Sequence, residues 1–304
     1  MSNTAIGESN MKKIGISAKA VVMRYGIERG LEIIKRSGFD SIDLGLQSYH
    51  KSIYSSGSDD EFETFFTNIK RVADNLELEI SQTHGLCGTY MPENEEHNSF
   101  VDFVTPLDLR ATSILGAPSC VIHFINSSRW DKQPPALMHQ ICGEMYDKFI
   151  PAAEKYKVNI AMETFGAARI KGARIRDFFA TPEEFKYQYN RLNTKYKTMC
   201  VDTGHTHEAE SFWVPPPEEM IRILGTDVTI LHLHDNTGHW DDHLLPGMGN
   251  IQWPLVFDAL DDIGYKGVYN FELGINFAGK MLEDFVGFAG KYLRTFVDNR
   301  GVLK

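Results

Sequence analysis

Apolar and polar positions alternate along this chain in two periods that follow each other regularly. Short apolar runs typical of buried strands are separated by longer stretches in which apolar residues recur at helical spacing. The runs that predict strands are 13–17, 41–46, 78–83, 119–124, 158–165, 198–203, 228–234 and 267–273. The stretches that predict helices are 28–37, 61–76, 101–115, 135–156, 181–192, 216–224, 253–263 and 285–296. The pattern therefore predicts successive strand–helix units.

Strict alternation of strands and helices predicts a parallel sheet, because each helix returns the chain to the start of the next strand. Eight units with no linker and no change of composition indicate an α/β fold of one domain, the (β/α)8 TIM barrel. We expect residues 11–304 to form this catalytic domain and the polar residues 1–10 to be a tail or an expression leader. The long loops 166–180 and 236–252 are expected to carry function.

Charge and cysteine content narrow the function classes. The chain has 31 basic and 41 acidic residues, a formal net charge of −10, which argues against a nucleic-acid partner because phosphates require a basic surface. No apolar run has the length of a membrane span or the form of a secretion signal, so a cytoplasmic location is predicted. The cysteines Cys87, Cys120, Cys142 and Cys200 form no C-x-x-C pair and are expected to be reduced, mostly buried thiols.

Polar side chains recur where the last six predicted strands end. These residues are His84, His123, Glu163, Asp202, His232 and Glu272, and successive members are 39, 40, 39, 30 and 40 residues apart. One strand–helix unit of a barrel takes about 30–40 residues, so each residue lies one strand further around the ring. We therefore expect the six side chains at one height in the barrel mouth, the end where the carboxyl termini of the strands emerge.

The residue types indicate a divalent cation. Glu163, Asp202, His232 and Glu272 offer oxygen and imidazole ligands, a set that suits Mn²⁺ first, or Mg²⁺, Co²⁺ or Zn²⁺. Buried carboxylates this close repel one another unless a cation neutralises them. A single such residue at a strand end is more often an ordinary polar residue, and the common spacing is what favours one site.

Two short segments add candidates. In 200–207, CVDTGHTH, Asp202 ends a strand and His205 follows where it can reach back over the mouth. In 232–236, HLHDN, His232 and His234 have the same parity along the strand, so both are expected to face inward. We choose His232 as the cation ligand, and His234 remains the alternative.

On the segments METFG, CVDTGH, HLHDN, DDHLLPGMGNIQW and NFELG, the chain resembles the xylose isomerase-like barrel superfamily over nearly its whole length. That group contains the sugar (phosphate) isomerase/epimerase proteins and, more distantly, endonuclease IV. The resemblance implies that Glu163, Asp202, His232 and Glu272 are the shared cation ligands. It also implies that His205 contacts substrate, as in ketose epimerases, or binds a further zinc ion, as in endonuclease IV. His84, His123, Asp241 and His243 match the extra ligands of that endonuclease's trinuclear zinc site.

The chain departs from the ketose 3-epimerases in two places. Those enzymes carry a Glu six residues after the first ligand, where this chain has Arg169, and a substrate-binding Arg soon after the strand-seven His, which is absent before Gly247. Arg169, Lys171, Arg174 and Arg176 form a basic loop that binds a substrate phosphate or carboxylate, or is simply solvated. We favour the solvated interpretation.

The predicted function is a metal-dependent sugar isomerase or epimerase. Glu163 and Glu272 would exchange protons next to a carbonyl through a metal-stabilised enediolate, with His205 assisting. The residues expected to bind substrate are His84, His123, His205, His234, His243 and Trp240, with Trp213 as a further candidate wall of the pocket. The alternatives are a related lyase (a dehydratase or a subunit that cleaves C-glycosides of 3-oxo sugars), an endonuclease IV-like zinc phosphodiesterase on abasic DNA, or a non-catalytic barrel. A homo-oligomer or a hetero-subunit partner is compatible with each.

Overall fold

A computed structural model describes residues 11–87, 89–125 and 133–302. Its main sheet contains the parallel strands β1 (Ile14–Ser17), β2 (Ser41–Gly45), β3 (Glu79–His84), β4 (Ser119–Val121), β5 (Asn159–Glu163), β8 (Lys197–Asp202), β9 (Val228–His232) and β10 (Tyr269–Phe271). The strands follow one another in chain order, and β10 pairs with β1. A parallel bridge between Leu233 and Phe271 closes the ring. The predicted TIM barrel is confirmed, and the predicted leader, 1–10, lies outside the described residues.

Helices surround the strands at all eight predicted stretches and at three further places in the described ranges. They are α1 (Lys19–Tyr25), α2 (Ile27–Arg36), α3 (Ile53–Ser56), α4 (Asp59–Asn75), α5 (Glu95–Leu115), α6 (Pro135–Asp147), α7 (Ile150–Tyr156), α8 (Pro182–Arg191), α9 (Thr203–Ala209), α10 (Pro217–Leu224), α11 (Trp253–Asp262) and α12 (Leu282–Asp298). The three further helices, α1, α3 and α9, were not predicted. Short 3₁₀ turns occupy Gln47–Tyr49, Glu210–Phe212, Gly225–Asp227 and Ile275–Met281. Within the described ranges, no helix combines the length and the apolar character that a bilayer span requires.

The structure also corrects one predicted helix and one predicted loop. The helix predicted over 135–156 is interrupted between Asp147 and Ile150, where Pro151 lacks the N–H that would bond to the carbonyl four residues earlier. The predicted loop 166–180 contains the antiparallel hairpin of β6 (Ala167–Ile170) and β7 (Ala173–Arg176). Gly172 turns this hairpin at φ +84°, which glycine adopts without the steric cost of a Cβ atom.

A small apolar layer inside the barrel determines where the polar site lies. Four buried residues on neighbouring strands form a cluster separate from the main core, and they are Val121, Ala161, Cys200 and Ile230. Strand side chains alternate between faces, so the residues two positions later also point inward, one layer nearer the mouth. These later residues are His123, Glu163, Asp202 and His232. Strand geometry thus places four candidate residues side by side.

Candidate metal centre

The four predicted cation ligands come together at the mouth. One ligand atom from each of Glu163, Asp202, His232 and Glu272 lies within 4.8 Å of the others. His232 Nδ1 is 2.9 Å from Glu163 Oε1 and 3.1 Å from Glu272 Oε2. Three of the side chains are buried, while Glu272 retains 24% of its side-chain exposure and faces the opening. The group has the donor chemistry and the access that a divalent cation needs.

Without a cation, histidine charges balance these carboxylates. Burial alone would raise the pKa of Glu163, but the charges of His232 and His123 outweigh it and hold that pKa well below its usual value. Burial would likewise lower the pKa of His232, but nearby Cys200, Glu163 and Glu272 raise it well above normal. The site therefore pairs buried carboxylates with a protonated ring, and a cation that binds there displaces protons.

The Oε2 atom of Glu163 gives independent evidence that these residues fit a divalent cation. This buried oxygen lies 2.9 Å from His123 Nε2 but makes no hydrogen bond. A buried carboxylate oxygen without a hydrogen-bond partner is costly. Two Glu, one Asp and one His with a spare buried oxygen fit a resident divalent cation.

Asp43 also belongs to this centre and was not among the predicted site residues. It is buried on β2, and its Oδ2 accepts hydrogen bonds from Nε2 of His232 at 3.1 Å and from Gln82 at 3.2 Å. A carboxylate on the far nitrogen of a ligating histidine orients the ring and leaves the near nitrogen for the cation. The sequence signal was a charged residue inside the apolar run 41–46.

The structure separates the roles of His232 and His234. His234 is fully buried, and its Nε2 is 3.0 Å from Asp202 Oδ1 rather than near Glu163 or Glu272. It stacks on His243 with ring centroids 4.0 Å apart. His234, Asp241 and His243 form a second group of candidate ligands. The geometry supports His232 as the member of the four-ligand group.

His205 joins the two groups. It lies on α9, and its backbone N–H donates to Oδ1 of Asp202 at 2.6 Å, so the Asp202 side chain caps the helix. Its Nδ1 is 3.5 Å from Glu163 Oε1, and its Nε2 is 3.4 Å from Asp241 Oδ2. Burial opposes protonation of this ring, but the charges of Asp202 and Asp241 prevail and raise the pKa of His205 well above normal. A charged His205 can donate a proton or a hydrogen bond at the mouth.

A third group lies on the β3–β4 side of the mouth. His84, Cys87 and His123 each bring a ligand atom within 4.8 Å of the others. Cys87 was predicted to be a reduced thiol and not a ligand. Burial, followed by the charge of His123, lowers the pKa of His84 well below normal. His84 is therefore neutral, the form of imidazole that binds cations.

The basic loop is tied down by contacts within the protein. Arg169 lies over the ring of Trp240 at 3.4 Å, and Arg174 donates to the carbonyl oxygens of Glu208 at 2.8 Å and Gly238 at 3.0 Å. The hairpin is thereby fastened to the loop that carries Asp241, so solvation alone does not describe these arginines. Trp213 is 97% exposed, so the suggestion that it walls the pocket is wrong.

Comparison with known proteins identifies a family model and several solved structures that are similar to this chain. A model of the family described as xylose isomerase-like TIM barrel matches residues 31–279. The uncharacterized protein y4fM of Sinorhizobium fredii is 25% identical over 276 residues, covering 81% of this chain and 81% of y4fM. The crystal structure of a D-tagatose 3-epimerase-like protein gives a TM-score of 0.69 at 19% identity, over 94% of this chain and 99% of that one. A D-psicose 3-epimerase in the presence of D-fructose gives 0.66 at 16% identity, over 93% and 98%. At these identities the structural likeness shows a shared fold.

Proposed function

The chain belongs to the xylose isomerase-like TIM barrel family, and we propose that it is a divalent-metal-dependent isomerase or epimerase of a sugar or sugar derivative. The observation that carries the proposal is that two carboxylates, Glu163 and Glu272, both lie close to one histidine nitrogen. They reach His232 Nδ1 from different strand ends, at 2.9 and 3.1 Å. Two carboxylates beside one cation are the parts that proton transfer next to a carbonyl requires.

Residues of this chain take distinct parts in the proposed reaction. A bound divalent cation supplies Lewis-acid polarisation of the substrate carbonyl. Either Glu163 or Glu272 removes the proton from the adjacent carbon, and the other returns it to the neighbouring carbon or to the opposite face. His205 and His243 are proposed to hold substrate hydroxyls. His234, which is fully buried against Asp202, is proposed to orient that carboxylate.

Deuterium exchange tests the proposal directly. Chelator-treated protein reloaded with Mn²⁺ is incubated in D₂O with ketoses and 3-oxo glycosides, and proton NMR follows exchange next to the carbonyl. We expect metal-dependent exchange that Glu272→Gln slows at least ~100-fold, the usual loss when a general acid or base is removed. Glu219→Gln, on the exposed side of α10, is the matched control and retains wild-type exchange. A protein that takes up no divalent cation contradicts the proposal.

The same experiment separates the epimerase from a lyase. A dehydratase, or an enzyme that cleaves a C-glycoside of a 3-oxo sugar, begins with the same proton removal. Its product then carries a new double bond or a released leaving group, which NMR distinguishes from an epimer.

A zinc phosphodiesterase on abasic DNA is the second candidate. It is favoured by the presence of further groups of candidate ligands beside the four-ligand centre. One group contains His234, Asp241 and His243, and another contains His84 and His123. The net charge of −10 opposes it. Salt-dependent binding of a duplex with one abasic site would favour this candidate, and no binding at low salt would remove it.

A further inference from the structure

A second cavity lies at the opposite end of the barrel from the cation centre, where the strands begin. Its volume is about 570 Å³, which is within the usual range for small-molecule sites. Asn159, which lines this basal cavity, begins β5, whereas the predicted cation ligand Glu163 ends the same strand. Ser119 in the cavity wall likewise begins β4. The basal cavity is therefore separate from the mouth of the barrel.

Small polar side chains leave the space for this cavity. Val121 on β4 and Ala161 on β5 belong to the apolar layer inside the barrel. Two residues earlier on the same strands, the inward positions are Ser119 and Asn159, and the Asn159 amide donates to the Ser119 hydroxyl at 3.3 Å. Bulky branched residues usually fill the inner layers of such a barrel. Here the lowest layer is open and carries hydrogen-bonding groups.

Asn270 on β10 is a buried amide beside this cavity. It is fully buried, and neither its oxygen nor its nitrogen has a hydrogen-bond partner among the described residues. A Cβ atom at Gly15 would lie 2.9 Å from Asn270 Oδ1 and 3.0 Å from the side chain of Val268, which lines the cavity. Leaving both atoms of a buried amide without partners is costly. The amide is therefore available to a polar ligand, directly or through a bound water molecule.

The charges at the rim of the basal cavity are mainly positive. Lys12, Lys13 and Lys266 line it together with one carboxylate, Glu79, in a chain whose net charge is −10. Lys13 pairs with Glu79 at 2.7 Å, and Lys12 lies 3.7 Å from Asp261. Lys266 is exposed and forms no ion pair with any residue that the structure describes. A local positive rim on an acidic protein attracts an anion.

We propose that the basal cavity binds a small hydroxylated anion, a polyol or sugar that carries one phosphate or carboxylate group. Lys12 and Lys266 pair with the anionic group at the rim. Further inside, the hydroxyl of Ser119 and the amides of Asn159 and Asn270 bond to the ligand's hydroxyl groups. The site lies away from the carboxylates assigned to proton transfer, so its occupant is a second ligand and not the substrate of the proposed reaction.

Calorimetric titration of chelator-treated, full-length protein tests the proposal. The probes are glucose 6-phosphate and gluconate, with glucose as the neutral control. We expect an anionic probe to bind at least about tenfold more tightly than glucose, because a charged hydrogen bond is added. The tighter anion identifies phosphate or carboxylate as the group that the site recognises. Binding is measured without a divalent cation, so the result is independent of whether the protein is an isomerase.

Variants locate the bound anion. We expect Lys266→Glu at the rim to weaken binding about tenfold or more. Asn159→Asp, which adds a negative charge inside the cavity at almost unchanged size, is expected to do the same. Lys291→Glu, an exposed position on α12 outside the cavity lining, makes the same charge change as Lys266→Glu and is the matched control. It is expected to retain the wild-type affinity.

Glu272→Gln at the mouth separates the basal cavity from the cation centre and is also expected to leave anion binding unchanged. No binding of either anion at millimolar concentration, or equal binding of glucose, overturns the proposal. So does wild-type affinity in Lys266→Glu, or loss of binding in Glu272→Gln, since the latter would place the anion at the mouth.

Discussion

The Nε2 atom of His232 lies 3.1 Å from Oδ2 of Asp43, while the Nδ1 atom of the same ring faces Glu163 and Glu272. Asp43 is buried, and its Oδ1 makes no hydrogen bond. The carboxylate therefore fixes a proton on Nε2 and leaves Nδ1 for the cation.

We expect Asp43→Asn to weaken divalent-cation binding about 10- to 100-fold, because a neutral amide supports the cation-bound ring less well than a carboxylate does. Competition with a metal-sensitive chelating dye measures the affinity. Asp74→Asn on the exposed surface of α4 is the control and keeps the wild-type affinity. Unchanged affinity in a folded Asp43→Asn protein would show that Asp43 does not position His232.

His243 predicts a pH dependence of stability in the cation-free protein. Burial lowers the pKa of His243, but its hydrogen bond and charge pairing with Asp241 prevail and raise the pKa to about 9. Because this value lies above the ordinary value of about 6.5, protonated His243 stabilises the fold below about pH 6.5. That contribution is lost as the pH rises through about 9.

We therefore expect the free energy of unfolding of chelator-treated protein to fall from about pH 6 to about pH 10, and to fall less in His243→Asn. Urea titrations at both pH values give the two slopes. His239→Asn, an exposed position on the same loop, is expected to behave like the wild type. Equal pH dependence in the wild type and His243→Asn would rule out this origin.

Gly204 lets α9 approach His234 closely. A Cβ atom at position 204 would overlap the imidazole of His234. We expect Gly204→Ala to destabilise the protein by about 1–3 kcal/mol, because the buried ring has no space to move. Gly287→Ala on α12 is the matched control, since its Cβ meets only Ser37 Oγ at 4.0 Å. Thermal and urea unfolding compare the two, and equal stability would contradict the overlap.

Arg174 fastens the β6–β7 hairpin to the loop that carries Asp241. Its guanidinium donates to the Glu208 and Gly238 carbonyl oxygens at 2.8 and 3.0 Å. We expect Arg174→Ala to speed amide hydrogen exchange in 236–242 and to reduce turnover, since Asp241 and His243 lose their support. Lys171→Ala at the exposed hairpin turn is the control and leaves both unchanged. Unaltered exchange in 236–242 would show that the loop is held elsewhere.

Much of the four-ligand group could be predicted because the position of each ligand depends on the residues next to it in the chain. The chain alternates strand and helix, and strand parity places Glu163, Asp202 and His232 two residues after inward-facing apolar positions. Helix boundaries were less well predicted where a single residue decides them. Pro151 ended α6 early, and the backbone of 166–180 formed a hairpin whose turn glycine carried no strong signal in a polar segment.

The sequence by itself determined the barrel, the height of the polar residues within it and the carboxylate–histidine chemistry. These features depend on the spacing of apolar residues and on the length of each strand, which neighbouring residues set. Only the tertiary structure decided which distant side chains meet. Asp43 and His232 are 189 residues apart and touch because the ring closes. Cys87 joins His84 and His123 because the buried Asp108 on α5 holds the intervening loop. His232 and His234 share a strand parity, and their separate partners depend on how α9 and the 236–252 loop pack above them.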